Sequence, residues 1–173
     1  MIPLLFLLLQ AAAAPAPTAP WAPVTKTDAA TGASSMSSYA LSRDGNARLT
    51  VRCDRAAEPV VSVQLRTRQP LAAGADRPVS VTVDGGAPIA GNWEFPGAAT
   101  FVRDGATVTQ LTVALGSAHE IKVRTTDASN AVVEAVFDGP GNPASITQVV
   151  EACGYSFGVV PPPVKAAKDK GDQ

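Results

Sequence analysis

Residues 47–53 read Ala47-Arg48-Leu49-Thr50-Val51-Arg52-Cys53, and residues 60–68 read Val60-Val61-Ser62-Val63-Gln64-Leu65-Arg66-Thr67-Arg68. In both, apolar and polar side chains alternate with a period of two. That is the geometry of a strand with one covered and one wet face. Leu49, Val51 and Cys53 face inward, as do Val61, Val63 and Leu65, while Arg48, Thr50, Arg52, Ser62, Gln64, Arg66 and Arg68 face outward. The same reading extends along the chain. Pro78–Asp84 places Val79, Val81 and Val83 inward, and Glu120–Thr126 places Ile121 and Val123 inward against Glu120, Lys122 and Arg124 outward. Ala131–Phe137 is apolar on both faces apart from Glu134, the pattern of a central or covered strand. Trp21–Thr27, Ser37–Arg43 and Ile89–Phe95 carry weaker strand patterns. Turn residues punctuate these segments at Asp44-Gly45-Asn46, Asp84-Gly85-Gly86, Asp127 to Asn130 and Asp138-Gly139-Pro140-Gly141.

Two stretches read as helices. Asn142 supplies an N-cap and Pro143 a first helical position. Ile146, Val149, Val150 and Cys153 then form one apolar stripe at i, i+3, i+4 and i+7, and Gly154 is a fitting stop. In Ala106–Leu115, Val108, Leu111 and Leu115 share a helical face that Gly116 ends. Thr107, Thr109, Leu111, Val113 and Leu115 also alternate as a strand, and Thr and Val favour strands. Helix is the preferred of these two readings. The fold class predicted is α+β, mainly β: an antiparallel sheet or sandwich with a C-terminal helix tied on by one disulfide.

That disulfide follows from two independent placements. Cys53 lies on an inward strand face and Cys153 on the inward stripe of the last helix, and the chain has no other cysteine. In an exported chain, two cysteines aimed at one core most simply form a bond. The alternative is a pair of buried free thiols. No Cys-x-x-Cys is present, so disulfide exchange is not indicated.

Export is read from the N-terminus. Ile2–Leu9 is an unbroken apolar run followed by Gln10 and four alanines, the h-region and small-residue cleavage zone of a secretory signal, although no Lys or Arg precedes it. It is too short to span a membrane. Residues 1–13 are therefore expected to be a signal peptide, with the mature chain starting near Ala14. Residues 14–20 form a Pro/Ala linker, 21–160 a single β-rich domain, and 161–173 a disordered tail. The expected location is periplasmic or secreted, with no transmembrane anchor.

Composition narrows the function. With 14 basic and 15 acidic side chains the net charge is −1, which disfavours nucleic acid as a partner. One His and two Cys cannot build a four-ligand zinc site from nitrogen and sulfur. His119 has no partner His and no His-Glu-x-x-His context, and reads as a surface residue. No Gly-x-Ser-x-Gly, P-loop or Gly-x-Gly-x-x-Gly motif occurs. Most acids sit beside Gly, Asn or Pro, as turn residues do. Glu94 and Glu134, flanked by apolar residues, are the exceptions, and a carboxylate pair for glycoside chemistry would have to stand about 5–10 Å apart. No catalytic residue, metal ligand or cofactor is implied.

Charge is unevenly distributed. Residues 43–77 hold seven Arg against four acids, and residues 78–160 hold three bases against eight acids. Arg48, Arg52, Arg66, Arg68, Lys122 and Arg124 all fall on polar strand faces, so in a shared sheet they would form a basic band. Such a band suits an anionic partner, either an acidic patch of another envelope protein or an anionic envelope component. An ordinary solvated sheet face is the simpler alternative.

A family pattern runs through the same residues: Trp21, Leu49-Thr50-Val51-Arg52-Cys53, the Val79–Asp84 strand, Trp93, Phe101, Val123-Arg124, Val136-Phe137-Asp138 with Gly141, and Glu151-Ala152-Cys153-Gly154-Tyr155. Over residues 21 to 155 the chain resembles the VasI-like periplasmic accessory proteins associated with type VI secretion. It is more loosely similar to the invasion-associated locus B family. The arginine usual before the aspartate of the middle strand is replaced, since Thr82-Val83-Asp84 stands there. The resemblance implies a small exported protein that is not an enzyme. The function expected is a non-enzymatic cell-envelope accessory or binding module. An envelope-polymer enzyme using acidic residues and a purely structural protein are the competing readings.

Overall fold

A computed structural model describes residues 19–97 and 99–161. The expected signal peptide at 1–13, most of the linker, and residues 162–173 of the expected tail lie outside the described residues. Seven strands come first: β1 (Val24–Thr27), β2 (Ser34–Leu41), β3 (Ala47–Arg55), β4 (Val60–Thr67), β5 (Gly74–Val83), β6 (Ile89–Phe95) and β7 (Thr100–Val102). Then follow α1 (Gly105–Gly116), β8 (Glu120–Thr126), β9 (Val132–Asp138) and α2 (Ala144–Ala152). The nine strands form one antiparallel sheet in the order β1-β2-β3-β4-β7-β6-β5-β8-β9.

Register puts the expected inward residues side by side. Leu49 lies opposite Leu65, Val51 opposite Val63 and Cys53 opposite Val61. Val81 lies opposite Val123, and Ile121 opposite Phe137. Because paired residues share a face, this produces one continuous apolar surface, and its members are buried. The sheet rolls to enclose it, until Ser42 at the end of β2 meets Phe137 on β9. Arg43 and Trp21 hold that seam. The Arg43 backbone N–H donates to the Val136 carbonyl at 2.8 Å, and its guanidinium reaches Glu120 at 2.7 Å and Asp138 at 2.8 Å. The Trp21 indole N–H donates to the Asp138 carbonyl at 2.8 Å. Trp21 has a φ of 60, a left-handed conformation rare for tryptophan, and is held there by its own N–H to the Tyr39 carbonyl and by the Ser38 hydroxyl donating to its carbonyl.

The two helices cover the apolar face, α2 over β2 and β3 and α1 over β4, β5 and β6. In α1 the helical reading is correct: Val108, Leu111 and Leu115 are buried. The Asp104 carboxylate decides it, accepting from the Thr107 N–H at 2.9 Å as an N-cap. The disulfide is present between Cys53 and Cys153, with the Cα atoms 5.7 Å apart. It closes 100 residues of chain.

Several local expectations need correction. The cap of α2 is Pro143, not Asn142; the Asn142 side chain accepts from the Ala144 N–H at 3.2 Å instead, so the helix starts later. Cys153 stands at the C-cap, just beyond the helical stripe, and Gly154 follows with φ 77 as the left-handed stop. β5 begins at Gly74 rather than Pro78, and β7 was not expected. Trp21 precedes the first strand, which starts at Val24. β9 is not central: it is the last strand of the sheet, and Val132 is 56% exposed. In the Asp138–Gly141 turn, Gly139 is required by close approach, since a Cβ there would lie 2.1 Å from the Ala118 carbonyl oxygen.

Cys153→Ser is expected to lower stability by about 2–5 kcal/mol, since the bond restricts the unfolded chain over a long loop. Hydrogen exchange should quicken first in α2. The loss will not reach the whole C-terminal segment at once, because the Tyr155 hydroxyl donates to the Pro59 carbonyl at 2.6 Å and Phe157 packs on the core. Denaturant unfolding with amide-resolved exchange checks both points.

Candidate binding surface

The outer sheet face is built by the same register. Leu41, Arg48 and Arg66 form one row across β2, β3 and β4. Arg68 follows Arg66 by two residues and so keeps its phase, its backbone N–H bonded to the Asn46 carbonyl at 2.7 Å. Arg48 and Arg66 thus set two guanidinium groups side by side on the outer face. Leu41 at the end of this row is 59% exposed. The Arg48 guanidinium lies 5.3 Å from the Tyr39 ring centroid, which braces it above the sheet. Arg48, Arg66 and Arg68 with Leu41 thus form a ridge beside the β2–β3 turn.

The other expected cations are not part of that ridge. Arg52 is four residues along β3 from Arg48, about 13 Å at strand spacing. It is bound by Asp54 at 2.6 Å on the same strand, so its charge is largely answered within the sheet. Lys122 and Arg124 lie on β8, with β7, β6 and β5 between them and β4. Lys122 is 3.8 Å from Glu134, and Arg124 stands opposite Glu134 in register. The six cations therefore share a sheet face but divide into the Arg48–Arg66–Arg68 ridge, Arg52 paired with Asp54 on β3, and Lys122 and Arg124 on β8 facing Glu134.

The two atypical acids are not brought together either. Glu94 is on β6 and Glu134 on β9, with β5 and β8 between, a span of about 14 Å at usual strand spacing. Glu94 is held by Arg103 at 2.8 Å and 3.1 Å. His119 is a surface residue, with its backbone N–H bonded to the Asp84 carboxylate at 3.0 Å.

Sequence reading missed a cleft of about 460 Å³ below the closed part of the seam. Asp44, Arg68, Asp127 and Glu134 stand around it, and Ala47, Leu71 and Ala135, all buried, form its floor. Beside it, Arg77 points into the core against Phe95, 3.7 Å from the ring centroid, and donates to the Leu71 and Ala72 carbonyls at 2.8 Å and 2.7 Å. Asp44 is firmly anionic. Hydrogen bonds from the Ser42 hydroxyl, the Asn46 amide and the Asn46 backbone N–H lower its pKa to about 2. The Ser129 hydroxyl likewise lowers Asp127, and the Glu120 backbone N–H lowers Asp84. The cleft is invisible in sequence because its walls come from residues as distant as Asp44 and Glu134. Among the described residues no three His, Cys, Asp or Glu side chains converge to hold a metal ion, and no helix is long and apolar enough to cross a membrane.

No protein-family model, no curated protein and no solved structure matches the chain.

The lowered carboxylates fix the sign of the acid response. Their folded pKa values lie below the unfolded value, so their contribution is present above that value and is lost as pH falls towards the folded one. Unfolding midpoints are expected to be flat from about pH 7 to 5 and to fall between about pH 4 and 2, with a shallower fall in Asp44→Asn. Denaturant titrations across that range measure it.

Proposed function

We propose that the chain is an exported, non-enzymatic binding module of the cell envelope, and that its contact surface for an anionic protein partner is the Arg48–Arg66–Arg68 ridge. The observation that carries this reading is the in-register pairing of Arg48 with Arg66 beside an exposed Leu41. Two arginines stand side by side on an outward face with an exposed aliphatic side chain at the end of their row. Arginine beside an exposed aliphatic side chain is the composition of a protein contact. Export is supported by the Ile2–Leu9 run with its alanine-rich zone, and the Cys53–Cys153 bond suits an oxidising compartment. The resemblance to VasI-like accessory proteins points the same way and extends the proposal to a role beside a secretion system.

One experiment in the native cell tests the whole reading. Mass spectrometry of envelope-fraction protein should find a mature N-terminus near Ala14; intact Met1 on cytosolic material would overturn export. A photo-crosslinking residue at Leu41 should give a defined adduct. The triple variant Arg48→Glu, Arg66→Glu, Arg68→Glu should abolish that adduct while leaving the fold intact, because outward charges contribute only about 0–1 kcal/mol each. An undiminished adduct in the triple variant would leave the ridge as an ordinary solvated face.

A further inference from the structure

The sheet has two free edges, and they are made differently. β1 is four residues long, Val24-Thr25-Lys26-Thr27, with a lysine at its centre. Short strands and lysine are the usual means by which an edge is kept from pairing with other chains. β9 has neither device. It reads Val132-Val133-Glu134-Ala135-Val136-Phe137-Asp138, with no Lys and no Pro. Its composition is that of a covered strand, yet it ends the sheet.

Only its upper part is paired beyond β8. The Val136 carbonyl accepts from Arg43, so the backbone groups of even-numbered residues point into the seam. Those of Glu134 and Val132 therefore point the same way. Among the described residues no backbone hydrogen bond crosses the seam to them. There the β2–β3 turn veers off, and the cleft of about 460 Å³ opens beside the strand. This volume is within the usual range of ligand sites.

The walls specify what fits. A strand laid along β9 would alternate its side chains between two surroundings. Those pointing inward would meet Ala47, Leu71, Val133 and Ala135. Those pointing outward would lie between Asp44 and Asp127, two carboxylates against the guanidinium of Arg68 at the rim, with Glu134 beside them already facing Lys122 and Arg124 on β8. Charge complementarity therefore selects basic residues at the outward positions and apolar ones at the inward positions.

We propose that the open edge of β9 accepts an extended segment of a partner protein, with alternating apolar and basic residues, which completes the seam as an added strand. This surface meets the arginine ridge only at Arg68 and selects a partner of the opposite charge, so either proposal can fail alone.

The probe is a capped heptapeptide of alternating lysine and valine, titrated into the full mature chain and followed by amide chemical shifts. Saturable binding is expected, with shifts at residues 132–136 and 44–47. A heptapeptide of alternating glutamate and valine should bind at least about tenfold more weakly, as a charge mismatch at a polar rim requires. Val132→Pro removes a seam-facing N–H without touching the β8 ladder, and Glu134→Lys reverses the rim charge. Each should weaken the lysine–valine peptide by about tenfold or more. If either variant misfolds by circular dichroism, the shift map of the unsubstituted chain and the glutamate peptide decide. Absence of saturable binding, shifts centred on Arg48 and Arg66, or affinity unchanged in both variants would overturn the proposal. So would a concentration-dependent dimer that Val132→Pro dissolves, which would make a second copy of this chain the occupant.

Discussion

Nine strands present one apolar face, and that face has to be removed from water. A flat sheet of this width would leave it open. The sheet instead rolls until β2 meets β9, and the helices cover what the roll leaves exposed. The enclosed residues, from Leu49 and Val63 to Val81, Ile121 and Phe137, are almost wholly buried, and each such aliphatic or aromatic side chain contributes about 1.5–3 kcal/mol. Polar seam contacts follow from this closure rather than cause it. The Arg43 ion pairs are half-exposed, so solvent screens them and they contribute little to stability. The Trp21 indole bond is different, because the ring is buried and its N–H ties the segment before β1 to the last strand.

The disulfide belongs to the same constraint. α2 is nine residues long, too short to be stable alone, and its N-cap has no side-chain bond. Its hold on the sheet comes from burial of Ile146, Val149 and Val150 and from the covalent tie at its end. Cys53 is completely buried on β3, and the bond joins it to the end of the helix that lies on the inner face. Covalent closure then reports correct packing and also stabilises it.

Much of this was legible because period two is a local signal. β3, β4, β6 and β8 sit where alternation placed them, and the inward phase of two cysteines was enough to anticipate their bond. β7 was not legible, since Thr100–Val102 is too short to show a period; its pairing with β4 and β6 creates the strand. The start of α2 moved because Asn142 has a better use, bonding Ala144 from outside the helix. The outward phase of the six cations was readable, but their division was not. Phase says which side of a strand a residue occupies and nothing about how many strands separate it from the next. Glu134 beside Lys122 is likewise neutralising only once register is known, whereas Asp54 shares a strand face with Arg52 by period alone.

The reading of β9 as a covered strand carries more than a misplacement. Apolar residues on both faces are costly on a strand that ends a sheet, where water reaches one face and an unpaired backbone invites foreign chains. β1 shows that the same sheet does protect an edge when it must remain free. The roll relieves part of the cost at β9 by bringing Ser42 and Arg43 against Phe137 and Val136, and stops short of Glu134 and Val132. It stops because the β2–β3 hairpin turns at Asp44-Gly45-Asn46, where a positive φ at Gly45 and the Asp44 hydrogen bonds to Ser42 and Asn46 fix the reversal. A longer β2 would have sealed the seam with this chain's own backbone. The tight, hydrogen-bonded turn therefore does two things at once: it starts β3 in the register that sets Leu41 opposite Arg48, and it leaves the lower edge of β9 unpaired.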